Sequence, residues 1–264
     1  MEGRKSLLKA LIFDCDGVIA DTERFGHLPA FNQTFEEFGL PVRWSEEEYG
    51  VKLKITGGKE RMASFLTDEF VRQAHLPTDA EEQWNMLTIW HKRKTAIFQE
   101  IVNAGRLPGR PGFVRIVDEA IAKHRELAIA STGMEESVSA ILQHVVGQAR
   151  AAHFHILTGD IVAKKKPAPD IYLLTLERLK IRPEEAIAIE DSRNGLLAAI
   201  GAGLRCVITL SSYTVDEDMS EAVLVVSNLG EPDKPMRVLA NRGKASPNAY
   251  ITLSDLEACL ELSG

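Results

Sequence analysis

The chain has 264 residues, 45% hydrophobic and 26% charged, an ordinary soluble composition with room for one or two domains. A net charge of −7 with no basic stripe argues against a nucleic-acid partner, which would call for clustered Lys and Arg. Cys15, Cys206 and Cys259 lack C-x-x-C spacing, which points to a reducing compartment and away from structural zinc. The start, "MEGRKSLLKA", has no signal-peptide pattern and no window approaches a membrane span, so the expectation is a cytoplasmic protein without a membrane partner.

Short apolar runs recur along the chain. "ALIF" (10–13), "ELAIA" (126–130), "FHILT" (154–158), "AIAI" (186–189) and "RCVIT" (205–209) read as buried strands, and "VLVV" (223–226) as a further one. Helical patterns separate them, such as Val138, Ile141, Leu142 and Val145 on one face. Strands alternating with helices predict an α/β fold, a doubly wound parallel sheet covered on both faces. From about 24 to 104 only helical patterns occur. Phe31, Phe35 and Phe38 share a face, as do Met62, Phe65, Leu66 and Phe70, and Trp84, Leu87, Ile97 and Ile101 repeat at compatible spacing. "GRLPGRPG" (105–112) punctuates the exit. These features predict a helical domain over 21–106 inserted into an α/β core of 1–20 and 107–264. The stretch 227–250, rich in Gly, Pro, Asn and Ser, reads as a long loop, and a short helix is expected near Ser254.

In an open parallel sheet, ligands bind beyond the carboxyl ends of the strands. Polar residues follow four of them here: Asp14 and Asp16, Ser131 and Thr132, Lys166 in "GDIVAKKKPAPD", and Glu190 with Asp191. Each has a bland alternative. Asp16–Gly17 suits a turn, Ser131 a helix cap, Lys166 a solvated lysine run, and Asp191–Ser192 a cap for "NGLLAAIGA". Taken together they have one chemistry. Four carboxylates at one edge repel unless a cation sits among them, and all-oxygen ligation with positions open to phosphate oxygens suits Mg²⁺. A lysine and a hydroxyl at the same edge suit a transferring phosphoryl group. The histidines of "HFH" (153–155) read as structural.

"DCDGV", "LAIAST", "KPAPD" and "IEDSRNGLLAAIGAG" resemble, in order and spacing, the four motifs of the haloacid dehalogenase superfamily of phosphohydrolases. The inserted helices are similar to that family's cap. "DTERFGH", "ITGGKERM", "RPG" and "LGEPDKP" look like its CbbY branch, which includes phosphatases of xylulose-1,5-bisphosphate. The resemblance implies a Rossmann-like core and a Mg²⁺-dependent phosphatase acting on a small phosphorylated substrate. Asp14 would be the nucleophile and Asp16 the acid–base, with Ser131 and Lys166 cradling the phosphate and Asp14, Asp16, Glu190 and Asp191 holding the metal. The cap would close through linkers near 17–23 and 105–112. It would bring Glu23, His27, Gly58, Lys59 and Arg61 to the substrate, joined there by Thr132 of the core. The alternative for Lys59 and Arg61 is a solvated helix start. The chain also carries one residue more between Glu23 and His27 than other members, which bears on whether His27 reaches the substrate. A phosphomutase of the β-phosphoglucomutase type and a non-enzymatic phosphate-binding regulator remain the competing functions. Nothing in the sequence demands an oligomer, so a monomer is expected.

Overall fold

The computed structural model describes residues 8–55 and 57–261; residues 1–7, on which the signal-peptide reading mostly rests, lie outside them. The chain divides into two compact units. A core unit runs through Asp21 and resumes at Leu107, and a helical unit spans Thr22–Arg106. Among the described residues, no helix is long and apolar enough to cross a membrane.

The described residues of the core unit hold one sheet of seven strands: β1 (Ala10–Phe13), β2 (Glu126–Ser131), β3 (Phe154–Thr158), β4 (Ala186–Glu190), β5 (Arg205–Thr209), β6 (Leu224–Val226) and β7 (Val238–Asn241). Their order is β3-β2-β1-β4-β5-β6-β7, parallel throughout except for the last pair. The fold class is the α/β, mostly parallel, Rossmann-like sheet that the alternating pattern predicts.

Side chains alternate across each strand, so each feeds both layers. Ala10, Ile12, Ala128, Ala130, Ala186 and Ala188 belong to one cluster with helices Asp170–Leu179 and Arg193–Gly201. Alanines at five of these six strand positions let these helices approach the sheet closely. On the opposite side, Phe13 meets Phe113 of helix Phe113–Ala122 edge-on at 5.1 Å. The strands that carry the site are buried on both faces, which explains why their sequences read as continuous apolar runs.

One strand was not visible in the sequence. β7 lies inside the stretch read as a loop and pairs antiparallel with β6 at the sheet edge. Val238 and Leu239 are exposed, so no buried run marks it.

The helical unit packs an aromatic interior. Trp44 lies 4.8 Å from Phe35 and 5.1 Å from Phe31, and Phe35 lies 5.3 Å from Phe65. Asn32 fixes the Trp44 backbone in both directions, accepting from its N–H at 2.8 Å and donating to its carbonyl at 2.9 Å. Phe38 and Trp84 depart from the expected buried stripe and stand exposed. Each covers only one side of its ring, Phe38 against Trp90 at 6.2 Å and Trp84 under the Lys59 ammonium at 4.6 Å.

Candidate active site

β1 ends on Phe13, and the Asp14 N–H still donates to the Ile189 carbonyl at 2.9 Å, which fixes the Asp14 backbone against β4. The chain then turns tightly, with Ile19 N–H on the Cys15 carbonyl (3.0 Å) and Gly17 N–H on the Ala20 carbonyl (2.8 Å). Gly17 has φ +73°, and a Cβ there would stand 1.9 Å from Asp191 Oδ2, so the turn passes directly over that carboxylate. Cys15 is buried within it. Burial, then the charges of Asp16 and Asp14, push its thiol up, which leaves it neutral.

Lys166 joins the strand ends. Its ammonium donates to Asp14 Oδ1 (2.7 Å), Glu190 Oε1 (2.5 Å) and the Ala130 carbonyl (2.8 Å), three acceptors lying just beyond β1, at the end of β4 and within β2. An ammonium has three protons, so this set fixes its orientation. Burial opposes its charge, but Asp14 and Glu190, by field and hydrogen bond, raise its pKa above the usual lysine value. The side chain is 7% exposed, which removes the reading of a solvated lysine run.

Glu190 is fully buried and also accepts from the Tyr172 hydroxyl at 2.6 Å. A Cβ at Gly195 would fall 1.9 Å from Glu190 Oε2, so only glycine lets the first turn of helix Arg193–Gly201 rest on that carboxylate. Ser192, rather than Asp191, caps this helix by accepting from the Gly195 N–H at 3.2 Å. Asp191 is thereby free of capping duty. Its hydroxyl partner is Ser211, which follows β5 and bonds to Thr214 at 3.1 Å. Arg110 places its charge near Asp21 and Asp191 while donating to the carbonyls of Leu210 (2.7 Å) and Ser227 (2.8 Å).

Ser131, the last residue of β2, accepts from the Gly133 N–H at 3.0 Å. A Cβ on Gly133 would lie 3.3 Å from Ser131 Oγ and 3.8 Å from Asp16 Oδ2, so these two groups flank the same glycine. Thr132 follows, half-buried. The core residues singled out in the sequence therefore converge at the carboxyl ends of β1, β2 and β4.

Asp14, Glu190 and Asp191 each offer an oxygen within 4.8 Å of the others. Burial, followed by the charges of its two neighbours, raises Asp191 well above the usual carboxylate value. Burial also raises Glu190, against the opposing effect of Lys166. A buried, all-oxygen cluster whose members disfavour one another's charge fits a hard divalent cation, as Mg²⁺ requires.

In the helical unit the candidate residues form two groups. Glu23 accepts from Tyr49 Oη at 2.5 Å, and Arg61 approaches the same oxygen at 3.3 Å while donating to the Ile55 carbonyl at 3.0 Å. His27 stacks on Phe98 at 3.9 Å and bonds Lys94 Nζ through Nδ1 at 2.8 Å. Burial, then Lys94, Arg61 and His91, lower its pKa well below the usual value. Gly58 lets His91 approach, since a Cβ there would lie 2.4 Å from His91 Nε2. Lys59 stands apart from Glu23 and rests its ammonium 4.6 Å from the Trp84 ring centroid.

Sequence reasoning missed Tyr49, Lys94, Tyr172 and Ser211. Tyr49 and Tyr172 fall where a buried aromatic is expected, so nothing in the pattern marks the hydroxyl, and Lys94 lies in a run of cations that reads as solvated.

Residues 8–203 match the sequence model of the haloacid dehalogenase-like hydrolases. The chain belongs to that family. It is similar to a CBBY-like protein of Arabidopsis thaliana, 40% identical over 247 residues, 94% of this chain and 77% of that protein. Among solved structures it is similar to CbbY from Rhodobacter sphaeroides in complex with phosphate, with a TM-score of 0.67, 38% identity and coverage of 84% of this chain and 94% of that one. A mutant of the same CbbY in complex with xylulose-(1,5)bisphosphate gives 0.67, 37%, 84% and 94%. This hydrolase is thus a CbbY-like enzyme of the phosphatase kind.

Proposed function

We propose that this hydrolase is a Mg²⁺-dependent phosphatase of a small sugar phosphate, with a bisphosphate such as xylulose-1,5-bisphosphate as its substrate. The observation that carries the reading is Lys166, held by Asp14 and Glu190 beside a cluster in which Asp191 also lies within 4.8 Å. That arrangement combines a cation, an aspartate nucleophile and a place for a metal at one strand edge.

Asp14, pinned to β4, attacks phosphorus and carries the phosphoryl group as an aspartyl-phosphate, which splits one displacement into two. Asp16, partly exposed beside Ser131, gives a proton to the departing sugar oxygen and takes one from the water that frees the phosphate. Ser131 and Lys166 orient the phosphoryl oxygens, and Thr132 lines their approach. Asp14, Asp191, the Asp16 carbonyl and Glu190 are the residues that would hold Mg²⁺, which when bound neutralises charge on the phosphoryl oxygens. In the cap, Arg61 and Lys59 supply cations for a second phosphate, while Glu23 and His27 supply an acceptor and a neutral imidazole for sugar hydroxyls. The three cysteines are unpaired and buried, which suits a reducing compartment, and the reading includes a cytoplasmic monomer.

Phosphate release across a panel of sugar mono- and bisphosphates, with and without Mg²⁺, tests this reading. Release from a bisphosphate in Mg²⁺, abolished by Asp14→Asn, is the expected result. Isomerised sugar phosphate without free phosphate would establish a mutase instead. No reaction with any sugar phosphate would leave a binding protein.

A further inference from the structure

The phosphatase reading uses Lys166 and Glu190 but leaves unexplained a third group in contact with them. Tyr172 lies in the third position of helix Asp170–Leu179, fully buried among Ile171, Leu176 and the strand alanines. A phenylalanine would fill that space equally well. The hydroxyl is instead directed at Glu190 Oε1, 2.6 Å away, the same oxygen that receives Lys166 at 2.5 Å. Burial, with the charge of Glu190 next, raises the phenol well above its usual value, so it stays protonated and donates.

We infer that Tyr172 is a positioning residue of the active site: its hydroxyl holds Glu190 so that the Lys166 ammonium is shared between Glu190 and Asp14. The chain of contacts is continuous, from Tyr172 Oη to Glu190 Oε1, to Lys166 Nζ, to Asp14 Oδ1. A buried carboxylate that loses a charge-assisted donor draws harder on those it keeps. Without the phenol, Glu190 pulls the ammonium toward β4, and Asp14 loses its partner's alignment. The position follows from the sequence: "KPAPDIY" sets Lys166 just before the helix and Tyr172 in its first turn, so both reach the same carboxylate from one segment.

This inference rests on the phosphatase reading for its consequence but is tested without turnover. Inorganic phosphate is titrated in Mg²⁺ by calorimetry into wild type, Tyr172→Phe, Glu190→Gln and the double variant, with melting curves for each. Tyr172→Phe is expected to weaken phosphate about tenfold, the scale of one hydrogen bond to a charged group. In the Glu190→Gln background the same change should have an effect within about twofold, because the role passes through that carboxylate. Phosphate affinity within about twofold of wild type in Tyr172→Phe, whatever its melting temperature, overturns the inference. So does an equal loss in both backgrounds, or a Tyr172→Phe chain that fails to fold while Glu190→Gln folds, since either assigns the hydroxyl to stability. A wild type that binds phosphate with this Tyr172 dependence yet hydrolyses no sugar phosphate would sink the phosphatase reading and keep the positioning role; a wild type that binds no phosphate sinks both.

Discussion

Replacing Lys166 by methionine tests the electrostatic account of the site most directly. The side chain keeps its length and loses three hydrogen bonds, two of them to buried carboxylates. Removing one partner of a buried ion pair costs about 3–5 kcal/mol, because the remaining charge has no compensation. At roughly 2–4 °C per kcal/mol for a chain of this size, the variant should melt some 6–20 °C below wild type at pH 7 in a chelator. The pH dependence has a definite sign. Glu190 and Asp191 already sit above their usual values in the fold, and losing the ammonium raises Glu190 further. Above the ordinary carboxylate range the folded chain then binds more protons than the unfolded one, so stability falls as pH rises. Acidifying from pH 7 toward 5 should recover up to about 1.4 kcal/mol per unit for each carboxyl protonated only in the fold. Excess Mg²⁺ should restore about 2.7 kcal/mol at a hundredfold over its Kd. Turnover should drop at least about a hundredfold, as for loss of a group that stabilises transition-state charge. Urea unfolding at several pH values in chelator, repeated in Mg²⁺, measures all of this. A variant as stable as wild type at pH 7 without metal, or one whose deficit relative to wild type does not shrink on acidification from 7 to 5, would refute the reasoning.

Three further outcomes are expected. His27 has its pKa lowered by burial, so below its ordinary value of 6.5 the unfolded chain binds the extra proton and stability declines as pH falls, by up to about 1.4 kcal/mol per unit; His27→Gln should flatten that slope in tryptophan-monitored unfolding, and an unchanged slope would refute the assignment. Gly195→Ala drives a Cβ to 1.9 Å from Glu190 Oε2 and should cost about 1–3 kcal/mol together with turnover; wild-type melting would show that the carboxylate does not rest there. Ser211→Ala removes the hydroxyl partner of Asp191 and should weaken divalent-cation binding about tenfold by calorimetry, with Ser211→Thr restoring it; affinity unchanged in the alanine variant contradicts an orienting role.

The strands were legible because parallel strands buried on both faces leave apolar runs that nothing else in the chain imitates. β1, β3 and β5 match their expected runs residue for residue. The site was legible for a related reason. Topology places polar residues at strand ends on one edge, so Asp14, Ser131, Glu190 and Asp191 could be grouped before any contact was known. β7 was illegible because an exposed edge strand of four residues needs no apolar face. Tyr172 and Ser211 were illegible because their function lies in one hydroxyl pointing one way, and direction is a property of packing.

The segment Glu23–His27 shows how backbone geometry sets where two side chains point. In an α-helix the fourth residue onward comes round about 40° beyond a full turn, so Glu23 and His27 would lie on one face there. Residues Glu23–His27 instead form one π-helical turn, and helix Leu28–Glu37 follows without a break. The wider i→i+5 turn keeps the fourth residue short of a full rotation, as the third is in an α-helix. Glu23 meets Tyr49, whose hydroxyl Arg61 also approaches, while His27 meets Lys94, and Arg61 acts on the His27 charge as well. Phe25, in the middle of the turn, is exposed. Deleting Phe25 should therefore tighten the turn toward α-helix and leave the His27–Lys94 contact in place, and loss of that contact, read from the titration of His27 by NMR, would refute this account.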